Sequence, residues 1–164
     1  NDAIYTARIF SNMDFDSVSI YESIDTYRIP SSRKEEIYMN FKTYEKYISK
    51  GFKTRDKAAE DRIARSCSCY ICKSPMKRRI KWFATSSKNY YSVFVCDEHG
   101  LFKGRMKVKQ SDDGQYYDVR ILKHTDEAGV NKIIDKQKKE REHRRRKRME
   151  EHKRKVEARN SCNK

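Results

Sequence analysis

The sequence predicts an α+β fold: a β module of two hairpins lies between an N-terminal α/β part and a long basic C-terminal helix. Three observations carry this reading. Branched and aromatic residues gather between 80 and 122 in runs split by turn residues. Two Cys/His pairs bracket the first of these hairpins. Beyond Asp135 the apolar face disappears while Lys and Arg accumulate. On this basis the chain divides into residues 1–66, 67–123 and 124–164.

Taken in order, residues 3–10 (AIYTARIF) read as a short strand. Residues 17–29 leave two choices open. Val18, Ile20 and Ile24 suit a strand, whereas Tyr21, Ile24 and Tyr27 suit a helix, and Pro30 ends either. Ser32 followed by Glu35 resembles a capping box, and Ile37, Phe41, Tyr44 and Ile48 recur on one helical face. A helix is therefore predicted over 33–50, stopped at Gly51. Its mixed Lys34, Lys42, Lys46 and Glu35, Glu36, Glu45 surface suits a wet protein interface. A shorter helix is expected from Thr54 to about Arg65, with Ala58, Ala59 and Ile63 as its apolar side.

Ile80–Ala84 and Tyr90–Val95 form the first predicted hairpin, around a polar loop. Gly104–Gln110 and Gln115–Leu122 form the second, around Ser111-Asp112-Asp113-Gly114, where Asp-Gly is a strong turn signal. Thr125 is placed to cap the last helix, with Asp126 and Glu127 in its first turn. Val130, Ile133 and Ile134 can dock that first stretch. From about residue 136 the helix is expected to pack little, since only Met149 and Val156 are sizeable apolar residues before Cys162. No heptad supports a coiled coil.

Composition limits the core. Apolar residues are 36% of the 164 and charged residues 38%, against about 45–50% and about 25% in ordinary domains. Only part of the chain can be buried, although eleven Tyr, seven Phe and one Trp each bring a large area. The net charge of +15 is uneven: residues 1–50 hold seven basic and eight acidic side chains, and the rest carry all the excess. Such a field attracts polyanions; charge alone does not separate DNA, RNA and acidic membrane, and double-stranded DNA is the partner expected. No run of 18 apolar residues, signal peptide or lipidation motif is visible. These features, with five cysteines in a Lys-rich chain, point to a cytoplasmic, nucleoid-associated monomer without membrane attachment.

Three clusters carry chemistry. The first is Cys69-x2-Cys72, then 23 residues, then Cys96-x2-His99. Cys-x2-Cys presents two thiolates at the angle a tetrahedral Zn²⁺ requires, and the intervening hairpin returns the second pair to the first. This makes the β module zinc-ribbon-like. Four protein ligands leave no open position, so one zinc would be structural. Cys67 stands as an alternative to Cys69. The second cluster is Lys77, Arg78, Arg79 and Lys81, interleaved with Ile80, Trp82 and Phe83. Its cations can grip phosphates; its aromatics fit equally well a sheet with one face buried and one wet. The third is Lys136–Arg159, thirteen basic against five acidic residues, densest at Arg144, Arg145, Arg146, Lys147 and Arg148. An α-helix fits a major groove, and this excess exceeds what solubility requires.

Catalytic patterns are missing from the sequence, so an enzyme is not expected. Asp97-Glu98-His99 superficially resembles zinc-braced HNH-type nucleases, but their other catalytic residues cannot be placed. The opening Asn1-Asp2-Ala3-Ile4-Tyr5-Thr6-Ala7-Arg8-Ile9-Phe10, the central Cys knuckles and the Arg-rich ending together resemble the T-even bacteriophage Alc type of transcription termination factor. The resemblance implies a bacterial RNA polymerase as partner, met through its β subunit. It also implies arrest of host transcription on DNA with unmodified cytosine. An RNA- or ribosome-binding zinc protein and a metal-dependent nuclease with a degenerate site are the alternative readings.

Overall fold

The computed structural model describes residues 2–12, 28–86 and 88–162. Six strands, β1 (Ile37–Asn40), β2 (Tyr44–Ile48), β3 (Lys77–Ala84), β4 (Asn89–Cys96), β5 (Gly100–Gln110) and β6 (Tyr116–His124), make one antiparallel sheet. Their order is β1-β2-β6-β5-β4-β3. The two expected hairpins are its β3–β4 and β5–β6 pairs, and Gly114 takes the left-handed φ of 76° that the Asp-Gly turn requires. The β1–β2 hairpin adds to the free side of β6, so the sheet crosses the 66/67 boundary.

That third hairpin replaces the helix predicted over 33–50. Only a 3-10 turn, Arg33–Glu35, forms there. The residues read as a helical face are two cross-strand pairs: Ile37 opposes Ile48 in the ladder. Phe41 and Tyr44 flank the turn, their rings stacked with centroids 4.4 Å apart. A cross-strand register and a helical repeat can select the same four positions, and β-branched and aromatic content then decides. Ser32 makes no side-chain cap; Glu35 instead accepts from the N–H and hydroxyl of Ser31.

The N-terminal segment read as a strand is a helix, Asp2–Ser11. It pairs with no described strand, and a helix satisfies its backbone without one. The undecided stretch 17–29 falls largely outside the described residues. The helix expected over 54–65 is two, Arg55–Ala59 and Arg62–Arg65, because Asp61 begins the second by accepting from the Ala64 N–H at 3.0 Å. The last helix, Glu127–Cys162, starts one residue later than its proposed Thr125 cap: Asp126 accepts from the Gly129 N–H at 2.8 Å.

One sheet face is covered and the other only in part. On one, the short helices and the loop around Cys67–Met76 bury Tyr47, Ala64, Met106, Phe94, Phe102 and Leu122. On the other, Val130 and Ile133 of the C-terminal helix pack on Val93, with Ile80, Phe83 and Tyr91 around them. Trp82 lies with the first layer and Ile80 with the second, so their expected sharing of one buried face does not hold. The register shift between Ile80 and Phe83 sends the alternate residues Ile80 and Trp82 to opposite sides. The Ser92 hydroxyl donates to the Ile80 carbonyl at 2.6 Å where pairing is interrupted. Gly104 is where Trp82 crosses β5. A Cβ there would lie 2.8 Å from Trp82 Cη2 and 3.1 Å from Phe94 Cε2. Gly104→Ala is therefore expected to cost about 1–3 kcal/mol through overpacking, seen as a lower urea midpoint; an unchanged midpoint would refute this packing.

Candidate metal centre and basic surfaces

The loop that carries the first Cys pair is held from beneath by a buried arginine. Arg120, on β6, donates to the carbonyls of Ile63, Ala64 and Ser66 at 2.6–3.1 Å and to Glu45 Oε1 at 2.9 Å. Its guanidinium also lies over the Tyr47 ring at 4.7 Å. These bonds fix the chain immediately before Cys67. The chain then doubles back on itself: Lys73 N–H donates to the Cys69 carbonyl and Cys69 N–H to the Ser74 carbonyl, both at 2.8 Å. Lys73 adopts a left-handed φ of 62° to close this turn. The second pair sits at the β4–β5 turn, where Cys96 ends one strand and Gly100, with a φ of 76°, starts the next.

β3 and β4 run out and back, and their length returns Cys96 to the first pair. The ligand atoms of Cys69, Cys72, Cys96 and His99 all lie within 4.8 Å of one another. Cys72 Sγ is 3.6 Å from Cys96 Sγ, and His99 Nδ1 is 3.7 Å from the sulfurs of Cys69 and Cys96. A disulfide would need about 2.05 Å, and these cysteines are free. For tetrahedral bonds of about 2.0–2.3 Å, neighbouring donor atoms should stand roughly 3.3–3.8 Å apart, which these three separations match. The four residues could therefore hold a metal ion.

Electrostatics single out Cys96 within this set. Burial works to raise the Cys96 thiol, but the His99 N–H and imidazole, the Glu98 N–H and Cys72 overcome it and bring it down to about 6. Burial raises the Cys69 thiol, against N–H donors from Cys72 and Ile71. Cys67 is outside the cluster: it packs with Phe94, Phe102 and Leu122, and burial pushes its thiol up to about 11. Cys69, not Cys67, is among the four residues whose ligand atoms converge, so geometry selects Cys69 of the two. Outside the donors, His124 Nε2 lies 3.0 Å from the His99 carbonyl oxygen, and Lys77 Nζ bridges both carboxylate oxygens of Asp97 at 3.0–3.1 Å. The latter links the strand after the first pair to the turn of the second.

The proposed phosphate-gripping cations are not equivalent. Lys77 is engaged with Asp97, and Arg79 with Glu127 at 2.6 Å. Arg78 and Lys81 are exposed. In the helix, Arg144 donates to the Ala84 carbonyl at 2.6 Å and pairs with Glu140, whose second oxygen accepts from the Ser86 N–H. The helix thus docks through Arg144, further than the expected limit near residue 136. Polar contacts extend the docking after apolar ones end. Arg145, Arg146, Lys147 and Arg148 are exposed, and at about 100° per residue they fan around the helix instead of sharing a face.

Sequence reasoning missed a further basic array. Along β5, Lys103, Arg105, Lys107 and Lys109 are exposed, while Phe102, Met106 and Val108 alternate with them into the core. The period-2 pattern Lys-x-Arg-x-Lys-x-Lys was the available signal. No helix among the described residues is long and apolar enough to cross a membrane. The chain matches no family model, no curated protein and no solved structure.

Proposed function

We propose that this protein is a non-enzymatic nucleic-acid-binding factor that acts at a transcribing bacterial RNA polymerase, with one structural zinc bracing its sheet. Three thiolates and an imidazole suit Zn²⁺, and four protein donors complete its usual coordination without an open position. One observation carries the nucleic-acid reading. The C-terminal helix makes its last described contact with the sheet at Arg144, and the exposed Arg145–Arg148 run begins immediately beyond it. The remaining eighteen residues extend about 27 Å as a helix, free to lie along phosphates or enter a major groove. The polymerase is supplied by the resemblance to Alc-type termination factors. Since residues 33–50 form a hairpin, the surface that region offers a partner is edge strand β1, with Tyr38 half exposed.

Contacts to both enzyme and template make weak DNA binding effective only near the polymerase. The test is elongation in vitro by purified bacterial polymerase, on templates with cytosine and with modified cytosine. Premature stops on the first, read-through on the second, and loss of the stops on removing residues 146–164 are the expected results. Unaltered elongation on both templates, despite tight DNA binding, would favour an RNA-binding or nucleoid role.

A further inference from the structure

The C-terminal helix does not lie flat on the sheet. Between its first turns and the exposed face of β5 and β6 runs a groove of about 510 Å³. Lys103 and Arg105 of β5, Lys123 of β6, and Lys132 and Lys136 of the helix line it, together with Tyr91 of β4. Lys103 and Lys123 are direct cross-strand partners. Like charges placed directly opposite destabilise a ladder, yet here they stand together and the helix adds two more cations from above. One carboxylate, Asp126, also lines the groove, and its charge is engaged in capping: the Gly129 N–H holds it below the ordinary carboxylate range. The site is therefore five cations around one already committed anion, with Lys136 Nζ 4.5 Å over the Tyr91 ring.

We infer that this groove binds a single strand of nucleic acid, its phosphodiester backbone neutralising Lys103, Lys123 and Lys132. Charge complementarity identifies a polyanion, and the aromatic side chain in the lining identifies which form. A duplex keeps its bases stacked inward and offers a groove only a rail of phosphates. A single strand brings phosphates and an unstacked base together, the combination that a basic groove with an aromatic side chain recognises. Lys136 can then exchange its contact with the Tyr91 ring for a phosphate as a base approaches. The volume suits one or two nucleotides, within the range of about 300–1,000 Å³ that specific sites occupy. This inference rests on the nucleic-acid reading above but assigns a different surface: the free helix takes duplex, the groove takes the separated strand found beside a polymerase.

The experiment is fluorescence anisotropy of the full chain with a labelled oligo-dT and a labelled duplex of equal length, across a salt series. Three proteins are compared: wild type, Lys103→Glu/Lys123→Glu, and the chain ending at residue 145. The charge reversals are expected to weaken single-strand binding at least tenfold and to flatten its salt slope by about 0.7 for each lost phosphate contact. Duplex binding should change less than threefold. The truncation should do the reverse, since it removes no lining residue. If circular dichroism shows the strand variant misfolded, Lys132→Ala/Lys136→Ala on the helix should give the same selective loss. Unchanged single-strand affinity in the folded variant, equal losses for both ligands, or displacement of the oligonucleotide by equimolar inorganic triphosphate would overturn the groove. The duplex reading would survive those results. Absence of binding to either oligonucleotide by wild type would overturn both.

Discussion

Cys72→Ala is expected to unfold the β module instead of loosening it, and a strong chelator should do the same to the wild type. Structural zinc contributes roughly 10–16 kcal/mol of binding free energy to folding, which equals or exceeds the whole stability of a typical domain, about 5–15 kcal/mol. The layer beside the metal has little to replace it. Cys67, Cys69, Phe94, Cys96, Phe102 and Leu122 form one buried cluster, and two of those side chains, Cys69 and Cys96, belong to the site itself. Without the metal, Cys69 and Cys72 lose their link to Cys96 and His99. The loop 67–76 would then be held chiefly by the bonds of Arg120 to Ile63, Ala64 and Ser66 at its start. Loss of β signal in far-UV circular dichroism, with zinc released in about a one-to-one ratio, is the result to look for. Native protein that contains no zinc, or an alanine variant with wild-type thermal stability, would sink the zinc assignment. Cys67→Ala serves as the control: it removes a thiol from the same layer but no ligand atom, and should leave the metal content unchanged.

The Cys/His cluster was legible because its signal is a spacing. Two residues between donors and one hairpin between pairs impose a geometry that few other sequences share, and the fold reproduces it. The β3–β4 and β5–β6 hairpins were legible for a similar reason, since turn chemistry at Gly114 leaves few options. The 33–50 region was misread because Ile37, Phe41, Tyr44 and Ile48 satisfy a helical repeat and a cross-strand register equally. Only the free edge of β6, a long-range partner, selects the second. Arg78 to Trp82 was misread because register shifts in β3 cannot be seen in residue order. The groove was missed for a third reason. Lys103, Arg105, Lys123, Lys132 and Lys136 come from three elements, and their convergence exists only after β5 pairs with β6 and the helix docks on Val93. Dense runs such as Arg144–Arg148 draw the eye in a sequence, yet the fold concentrates field where separate elements meet.

The second large effect lies at Asp118, which nothing in the proposed function uses. It is fully buried on β6, and neither carboxylate oxygen has a hydrogen-bond partner among the described residues. Its backbone is fixed by Ser49, whose hydroxyl accepts from the Asp118 N–H at 2.8 Å and whose N–H donates to the Asp118 carbonyl at 3.0 Å. The side chain therefore cannot retreat to water without breaking the sheet. Burial, aided by the nearby charge of Asp61 and only partly opposed by Arg65 and Arg120, pushes its carboxyl up to about 8. The consequence for stability follows from proton counting. Below about pH 4 the carboxyl is neutral in both folded and unfolded chains and contributes no slope. Between about 4 and 8 the unfolded chain releases this proton while the folded one keeps it, so stability falls as pH rises. The loss approaches about 1.4 kcal/mol for each pH unit in that window, and it levels off once the folded form also ionises. Asp61 and Glu35, both held below the ordinary range, give the opposite slope at the acid end, so the wild-type profile alone would mix the two effects. Asp118→Asn isolates the buried carboxyl, because the amide has nearly the same shape and no charge to lose. Urea midpoints of the two proteins should be close near pH 4 and diverge steadily to pH 8, where the asparagine variant is more stable by several kcal/mol. Midpoints that differ by a constant amount across that range would mean that Asp118 finds a compensating partner and is ionised throughout.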